Sequence, residues 1–202
     1  MDSEPGSYLY CGLSRDASKE EILERINNNT ITDILNKIEV KAGDVVMVKA
    51  GTIHAIGAGV FICEIQQNSN CTYRMYDYDR RDKFGNPREL HVKKALDVVD
   101  NHKYIKDNKT EVVIARNEHF TEERLVQCKY FEVYKYDVND EAKITVDEAS
   151  FVSVLFINGS GTIETDDYEK TMEFKAGDSF FVSAGLRSII IKGQATMVVT
   201  RV

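Results

Sequence analysis

His54 stands three residues after Gly51 in the stretch VKAGDVVMVKAGTIHAIG, residues 40–57. An imidazole can ligate a transition metal as a neutral base, or move protons near neutral pH. The chain nearly repeats this stretch as FKAGDSFFVSAGLRSIII, residues 174–191, keeping K-A-G-D, a valine and A-G. At the place of His54 the second copy has Ser188, a poor ligand for a transition metal. The other histidines, His91, His102 and His119, fall at a helix approach and in two polar loops, and read as surface or half-buried residues. A catalytic zinc takes three protein ligands and an open position, so one histidine is not a site.

Two further side chains could share chemistry with His54. Arg74 in CTYRMYDYD is planar and permanently charged, and strand alternation would set it on the face of Thr72 and Tyr76. It could hold anionic oxygens, or form a structural ion pair with Asp77 or Asp79. Glu64 in GVFICEIQQ is a carboxylate on an expected buried strand, either a site group in the same cavity or a paired core charge.

The elements that must position these residues are mostly strands. YLYCGL, GVFICEIQQ, CTYRMYDYD, EVVIAR, LVQCKYFEVYKYDV, FVSVLFINGSGTIET, DSFFVSA and ATMVVTRV are rich in Val, Ile, Phe, Tyr and Thr. In each repeat K-A-G-D is a turn, with glycine free to take positive φ and aspartate able to bond the backbone two residues on. The apolar run that follows, VVMV or SFFV, reads as a buried strand. INGSGTIE (157–164) reads as a hairpin with a glycine-rich turn. SKEEILERINN carries a capping box at Ser18 and Glu21, ITDILNKI (31–38) reads as a second short helix, and KKALDVVDN (93–101) as a third.

Many short strands around two matching strand–turn–strand units point to an all-β chain of jelly-roll barrels in tandem. The polar stretch 100–112 marks the seam, giving residues 1–105, with a helical insertion at 14–39, and residues 106–202. The second part has room for seven or eight strands, whereas only about two precede the helices in the first. The first barrel is therefore expected to be incomplete at its N-terminus, less stable than residues 112–202, and open to a partner chain or a second copy along its edges.

The spacing Gly43-x5-Lys49-x-Gly51-x2-His54 resembles the second motif of the cupin superfamily, in which the histidine supplies one ligand of a divalent metal. The longer stretch is more specific. A-G-T-I-H-A-I-G, then E-I-Q-Q-N-S-N-C-T-Y-R-M-Y-D, then R-E-L-H-V-K-K-A-L together resemble type I phosphomannose isomerase, the mannose-6-phosphate isomerase family, in its bacterial short form. The resemblance is strong over 40–99 and looser over the C-terminal barrel. It implies reversible aldose–ketose isomerisation of mannose 6-phosphate and fructose 6-phosphate through a zinc-assisted enediol. It also implies His54 as a zinc ligand, Arg74 as a catalytic residue acting on the reacting hydroxyls, and a C-terminal barrel without metal. His91 in R-E-L-H is expected to be structural. The family's remaining zinc ligands come from Q-x-H and K-x-E-x-W-Y segments that match nothing in this chain. The resemblance therefore implies a C-terminal portion that is inactive alone; the alternatives are a non-catalytic sugar-phosphate-binding cupin or an interaction module completed by a partner.

Composition sets the outer limits. The net charge of -7 over 202 residues argues against binding to nucleic acid or anionic lipid. No apolar run is long enough to span a bilayer, and Met1 is not followed by a leader pattern. The four cysteines form no C-x-x-C pair and read as free thiols of a cytoplasmic protein.

Overall fold

The computed structural model describes residues 3–69, 71–106, 112–165 and 168–202. The chain divides into two compact units, Met1–Lys106 and Asp107–Val202.

In the N-terminal unit a three-stranded antiparallel sheet is built on β1 (Tyr8–Leu13), which pairs with β2 (Leu35–Glu39) on one side and β3 (His54–Ile56) on the other. Helix α1 (Lys19–Asn27) begins where the Glu21 N–H donates to Ser18 Oγ at 3.1 Å. The other half of the expected capping box does not form. The Glu21 carboxylate instead accepts from Arg15 Nη2 at 2.5 Å and Arg25 Nε at 2.9 Å, which draws its pKa down to about 2. Ile22 and Ile26 of α1 pack with Leu13, Ile31, Ile34, Leu35, Met75, and Ala95 and Val99 at the end of the unit, forming its core.

The expected helix over 31–38 is not present. Ile31–Ile34 make one 3-10 turn, and the chain then goes extended at Leu35 (φ -80°, ψ 146°) into β2. Apolar residues at 31, 34 and 35 satisfy either geometry, and the open edge of β1 supplies ladder bonds that a two-turn helix would forgo. The segment expected as a third helix does fold as one, α2 (Val92–Val98).

The runs 45–48, 60–65 and 71–78 were expected to be strands, and none lies in a strand. Apolar composition favours a strand only where a neighbour can take its N–H and C=O groups, and the described sheets end at β2 and β3. Consequently Val48, Phe61 and Tyr73 are exposed, as is Ile56 at the end of β3.

The C-terminal unit is one antiparallel sheet. It comprises β4 (Val112–Arg116), β5 (Phe120–Gln127), β6 (Glu132–Val138), β7 (Glu141–Val146), β8 (Val152–Thr165), β9 (Tyr168–Lys175), β10 (Ser179–Val182) and β11 (Arg187–Arg201). The order is β10-β8-β11-β6-β5-β4, with β7 added to β11 and β9 to β8. The two longest strands each serve two sets of neighbours. β11 pairs with β7 over 187–192 and with β6 over 195–201, while β8 pairs with β10 over 152–155 and with β9 over 160–165.

The change of partner happens where glycines meet, and this corrects the expected turn at 157–164. That stretch runs through the middle of β8, with Gly161 directly opposite Gly193 of β11 and Gly159 opposite Ala195. A Cβ at Gly161 would lie 2.0 Å from the Lys192 carbonyl oxygen, and one at Gly193 would lie 2.5 Å from that of Ser160. Glycine is needed here for close backbone approach inside a ladder, not for reversing the chain. Gly193 also sits at φ +122°. Gly193→Ala is expected to cost about 2–4 kcal/mol, combining left-handed strain with overpacking. Urea unfolding of the chain would show it as a lower midpoint at unchanged slope.

Inside the sheet, β7 alternates exposed and buried residues along its whole length, and the interior is filled by Ile144, Phe156, Ile163, Ile189, Ile191 and Met197.

Candidate functional site

The repeated K-A-G-D turns are built alike. The Lys41 N–H donates to Asp44 Oδ2 at 2.9 Å and the Lys175 N–H to Asp178 Oδ2 at 2.9 Å. In both, the aspartate N–H returns to the lysine carbonyl at 3.1 Å. The carboxylate thus reaches back three residues rather than two onward. Gly43 and Gly177 have φ of 90° and 91°, and the A-G glycines, Gly51 and Gly185, share φ of 81°.

Beyond the A-G turn the copies diverge. Ser188 is buried at 2% exposure on β11, opposite Thr145 of β7. His54 is exposed at the start of β3, opposite the fully buried Cys11 of β1. Its strand is tied to β1 at both ends. The Gly12 N–H donates to the Ile53 carbonyl at 2.7 Å and the Gly57 N–H to that of Tyr8 at 2.9 Å. The Gly51 carbonyl accepts from the Asp100 N–H at 2.9 Å, which ties the A-G turn to the chain just beyond α2.

His54 Nδ1 lies 3.0 Å from the Thr52 carbonyl oxygen. A carbonyl can only accept, so Nδ1 carries the proton and the lone pair is on Nε2. That is the tautomer and orientation of a metal-ligating imidazole whose other nitrogen is fixed by a backbone acceptor. The fit extends to one ligand only, since the described residues contain no group of three His, Cys, Asp or Glu side chains able to hold a metal ion.

Arg74 is half-buried. Neither expected ion pair forms at that residue. Asp77 accepts from both Arg88 Nε, at 2.8 Å, and Arg88 Nη2, while Asp79 pairs with Arg81 at 2.9 Å. The Arg88 guanidinium holds the Asp77 carboxyl below the usual carboxylate range. Arg74 Nη1 donates instead to the Glu89 carbonyl at 3.2 Å. Met75 buries its side chain in the unit's core and Tyr76 packs against it. Glu64 corrects the expectation of a buried-strand carboxylate: it is exposed, on a segment outside any strand. His54, Glu64 and Arg74 therefore stand on three separate segments of one unit.

His102 is an exposed residue paired with Asp100 at 3.0 Å. His119 links two turns of the C-terminal unit, with Nδ1 2.9 Å from Asp140 Oδ1 and the Asn139 N–H donating to its carbonyl at 2.7 Å. The Asp140 carboxylate raises the His119 pKa. A raised folded pKa gives stabilisation that is complete below the unfolded value of about 6.5 and is lost as pH rises through the folded value. The urea midpoint is expected to fall from about pH 6 to pH 8, and His119→Asn is expected to flatten that slope.

No helix among the described residues is long and apolar enough to cross a membrane. No disulfide joins any of the four cysteines.

The comparisons with known proteins agree with one another. Residues 121–202 match the family described as mannose-6-phosphate isomerase, cupin domain. The YvyI protein of Bacillus subtilis (strain 168), whose mannose-6-phosphate isomerase name is provisional, is 41% identical over 190 residues, covering 92% of this chain and 57% of its own length. Mannose-6-phosphate isomerase ManA of the same strain is 33% identical over 193 residues, covering 91% of this chain and 56% of its own. The crystal structure of the mannose 6-phosphate isomerase from Bacillus subtilis superposes with TM-score 0.89 at 36% identity, covering 100% of this chain and 62% of that one. The chain spans a little over half the length of the curated relatives it matches. By sequence along nine-tenths of its length, and by its mainly antiparallel β fold, it belongs to the mannose-6-phosphate isomerase family.

Proposed function

We propose that this chain is the C-terminal portion of a mannose-6-phosphate isomerase that interconverts mannose 6-phosphate and fructose 6-phosphate. Aldose–ketose isomerisation moves a proton between C1 and C2 and places negative charge on oxygen in the enediolate. Arg74, always protonated and planar, suits those oxygens better than a lysine would. In this reading His54 offers Nε2 as one ligand to a zinc ion, and Glu64 binds substrate. The side chains completing the site come from the part of the relatives' length that this chain does not match. The N-terminal unit is the partial metal-binding barrel, the C-terminal unit a metal-free one, and the protein is cytoplasmic.

The observation that carries this reading is the state of His54. The scaffold occurs twice, yet only this copy presents an exposed imidazole with Nδ1 fixed on a carbonyl, which leaves the lone pair on Nε2. One ligand alone binds zinc weakly. The purified 202-residue chain is thus expected to hold well under one zinc per molecule and to show no isomerisation of mannose 6-phosphate. One zinc per chain with turnover would mean that this chain alone completes the site.

A second reading is favoured by exposed apolar side chains. Phe61 is 67% exposed and Ile56 49%, on or beside segments with no sheet partner. These edges suit a partner chain or a second copy that adds strands. Hydrogen exchange of the chain alone is expected to show residues 1–100 opening at lower denaturant than residues 112–202.

A further inference from the structure

The segment R-E-L-H, residues 88–91, has no part in the chemistry proposed above, yet most of its polar contacts converge on residues 74–77. The Arg74 N–H donates to His91 Nδ1 at 3.3 Å, and the His91 N–H donates to the Arg74 carbonyl at 2.6 Å. Arg74 Nη1 donates to the Glu89 carbonyl at 3.2 Å. Arg88 forms a two-toothed ion pair with Asp77, which is only 7% exposed.

The pair of bonds between residues 74 and 91 has the form of a ladder pair in an antiparallel sheet, where two facing residues exchange both N–H···O bonds. Here no ladder exists, and the imidazole takes the place of the missing carbonyl. His91 is free to do so. It is the N-cap residue of α2 (φ -114°, ψ 41°), but its side chain makes no capping bond to that helix. Accepting from an N–H requires a lone pair on Nδ1, so the ring proton is on Nε2. With Met75 buried in the core and Asp77 held by Arg88, the chain just after Arg74 is anchored. An arginine in a segment lacking sheet partners would otherwise sample many backbone states, and small displacements of a positioning group are costly in catalysis.

Resting on the reading of Arg74 as the residue that engages the sugar phosphate, we infer that His91 is its positioning residue, acting through Nδ1 on the Arg74 amide. The acceptor's place on the side chain matters, which separates this role from simple packing. Asparagine puts Oδ1 where Nδ1 stands; glutamine puts its oxygen nearer the place of Nε2.

The experiment uses the 15N-labelled 202-residue chain and its Arg74→Ala, His91→Asn, His91→Gln and His91→Ala variants. Two quantities are measured: hydrogen exchange of the Arg74 amide in the four chains that keep Arg74, and the dissociation constant for mannose 6-phosphate in all five. His91→Asn is expected to stay near wild type in both. His91→Gln and His91→Ala are expected to speed exchange and weaken binding about fivefold or more, the effect of one lost neutral hydrogen bond. Equal behaviour of the Asn and Gln variants, or weakened binding in neither Gln nor Ala, overturns the inference. Arg74→Ala binding as tightly as wild type, or wild type failing to bind mannose 6-phosphate, overturns the reading of Arg74 and the inference with it.

Discussion

Replacing Arg74 with alanine is expected to lower kcat/KM for mannose 6-phosphate by about 10²–10³-fold, the effect of removing one preorganised donor from a developing oxyanion. The assay requires a complete site, so it is made in a chimera in which this chain replaces the matching portion of ManA from Bacillus subtilis. The argument begins with the partners of Arg74. Its neighbouring carboxylates are already satisfied, Asp77 by Arg88 and Asp79 by Arg81. The guanidinium is half-buried and bonded to one backbone carbonyl, which leaves further N–H donors for a ligand. A lysine would keep the charge but lose the planar fork, so Arg74→Lys should recover only part of the loss. If Arg74 served stability instead, alanine would shift the unfolding midpoint and leave the kinetics of the folded enzyme unchanged.

The largest expected loss of stability belongs to the other unit. Phe156 is fully buried, with its ring stacked on Phe174 at 3.7 Å between centroids and 11° between planes, and Phe180 edge-on at 5.9 Å. Its backbone also clamps the second K-A-G-D turn, donating to the Asp178 carbonyl at 3.0 Å and accepting from the Gly177 N–H at 2.8 Å. Phe156→Ala leaves a ring-sized void among side chains held by the long β8–β11 pairing, which limits collapse into it. The expected cost is about 3–5 kcal/mol, a large share of the roughly 5–15 kcal/mol that holds a domain folded. Hydrogen exchange in β8 and β11 under increasing urea would measure it directly. A cost below about 1 kcal/mol would mean that the stack is not central to the core.

Local chemistry made some elements legible from sequence. YLYCGL became β1 over the same six residues, and Ser18 capped α1, because strand composition and a side-chain cap act within a few residues. The failures share one cause, dependence on a partner far along the chain. Residues 31–38 chose a 3-10 turn and a strand because β1 lay open beside them. The glycines near 160 looked like a turn until Gly193, some thirty residues on, was placed opposite Gly161. The runs 60–65 and 71–78 have strand composition and no described neighbour to pair with. At the site, the repeat singled out His54 by contrast with Ser188, and its Nδ1 bond needs only Thr52, two residues away. The hold on Arg74 was hidden for the opposite reason. It joins residues 74 and 91 through a side-chain acceptor, and no periodicity announces such a bond.

The most direct test of the family reading is the activity of that chimera as zinc is removed and restored. The expected result is isomerisation of mannose 6-phosphate that disappears on chelation, returns with zinc, and is lost in His54→Ala together with bound metal. A folded chimera that binds zinc equally well with and without His54, or that isomerises mannose 6-phosphate unchanged after His54→Ala, would contradict it.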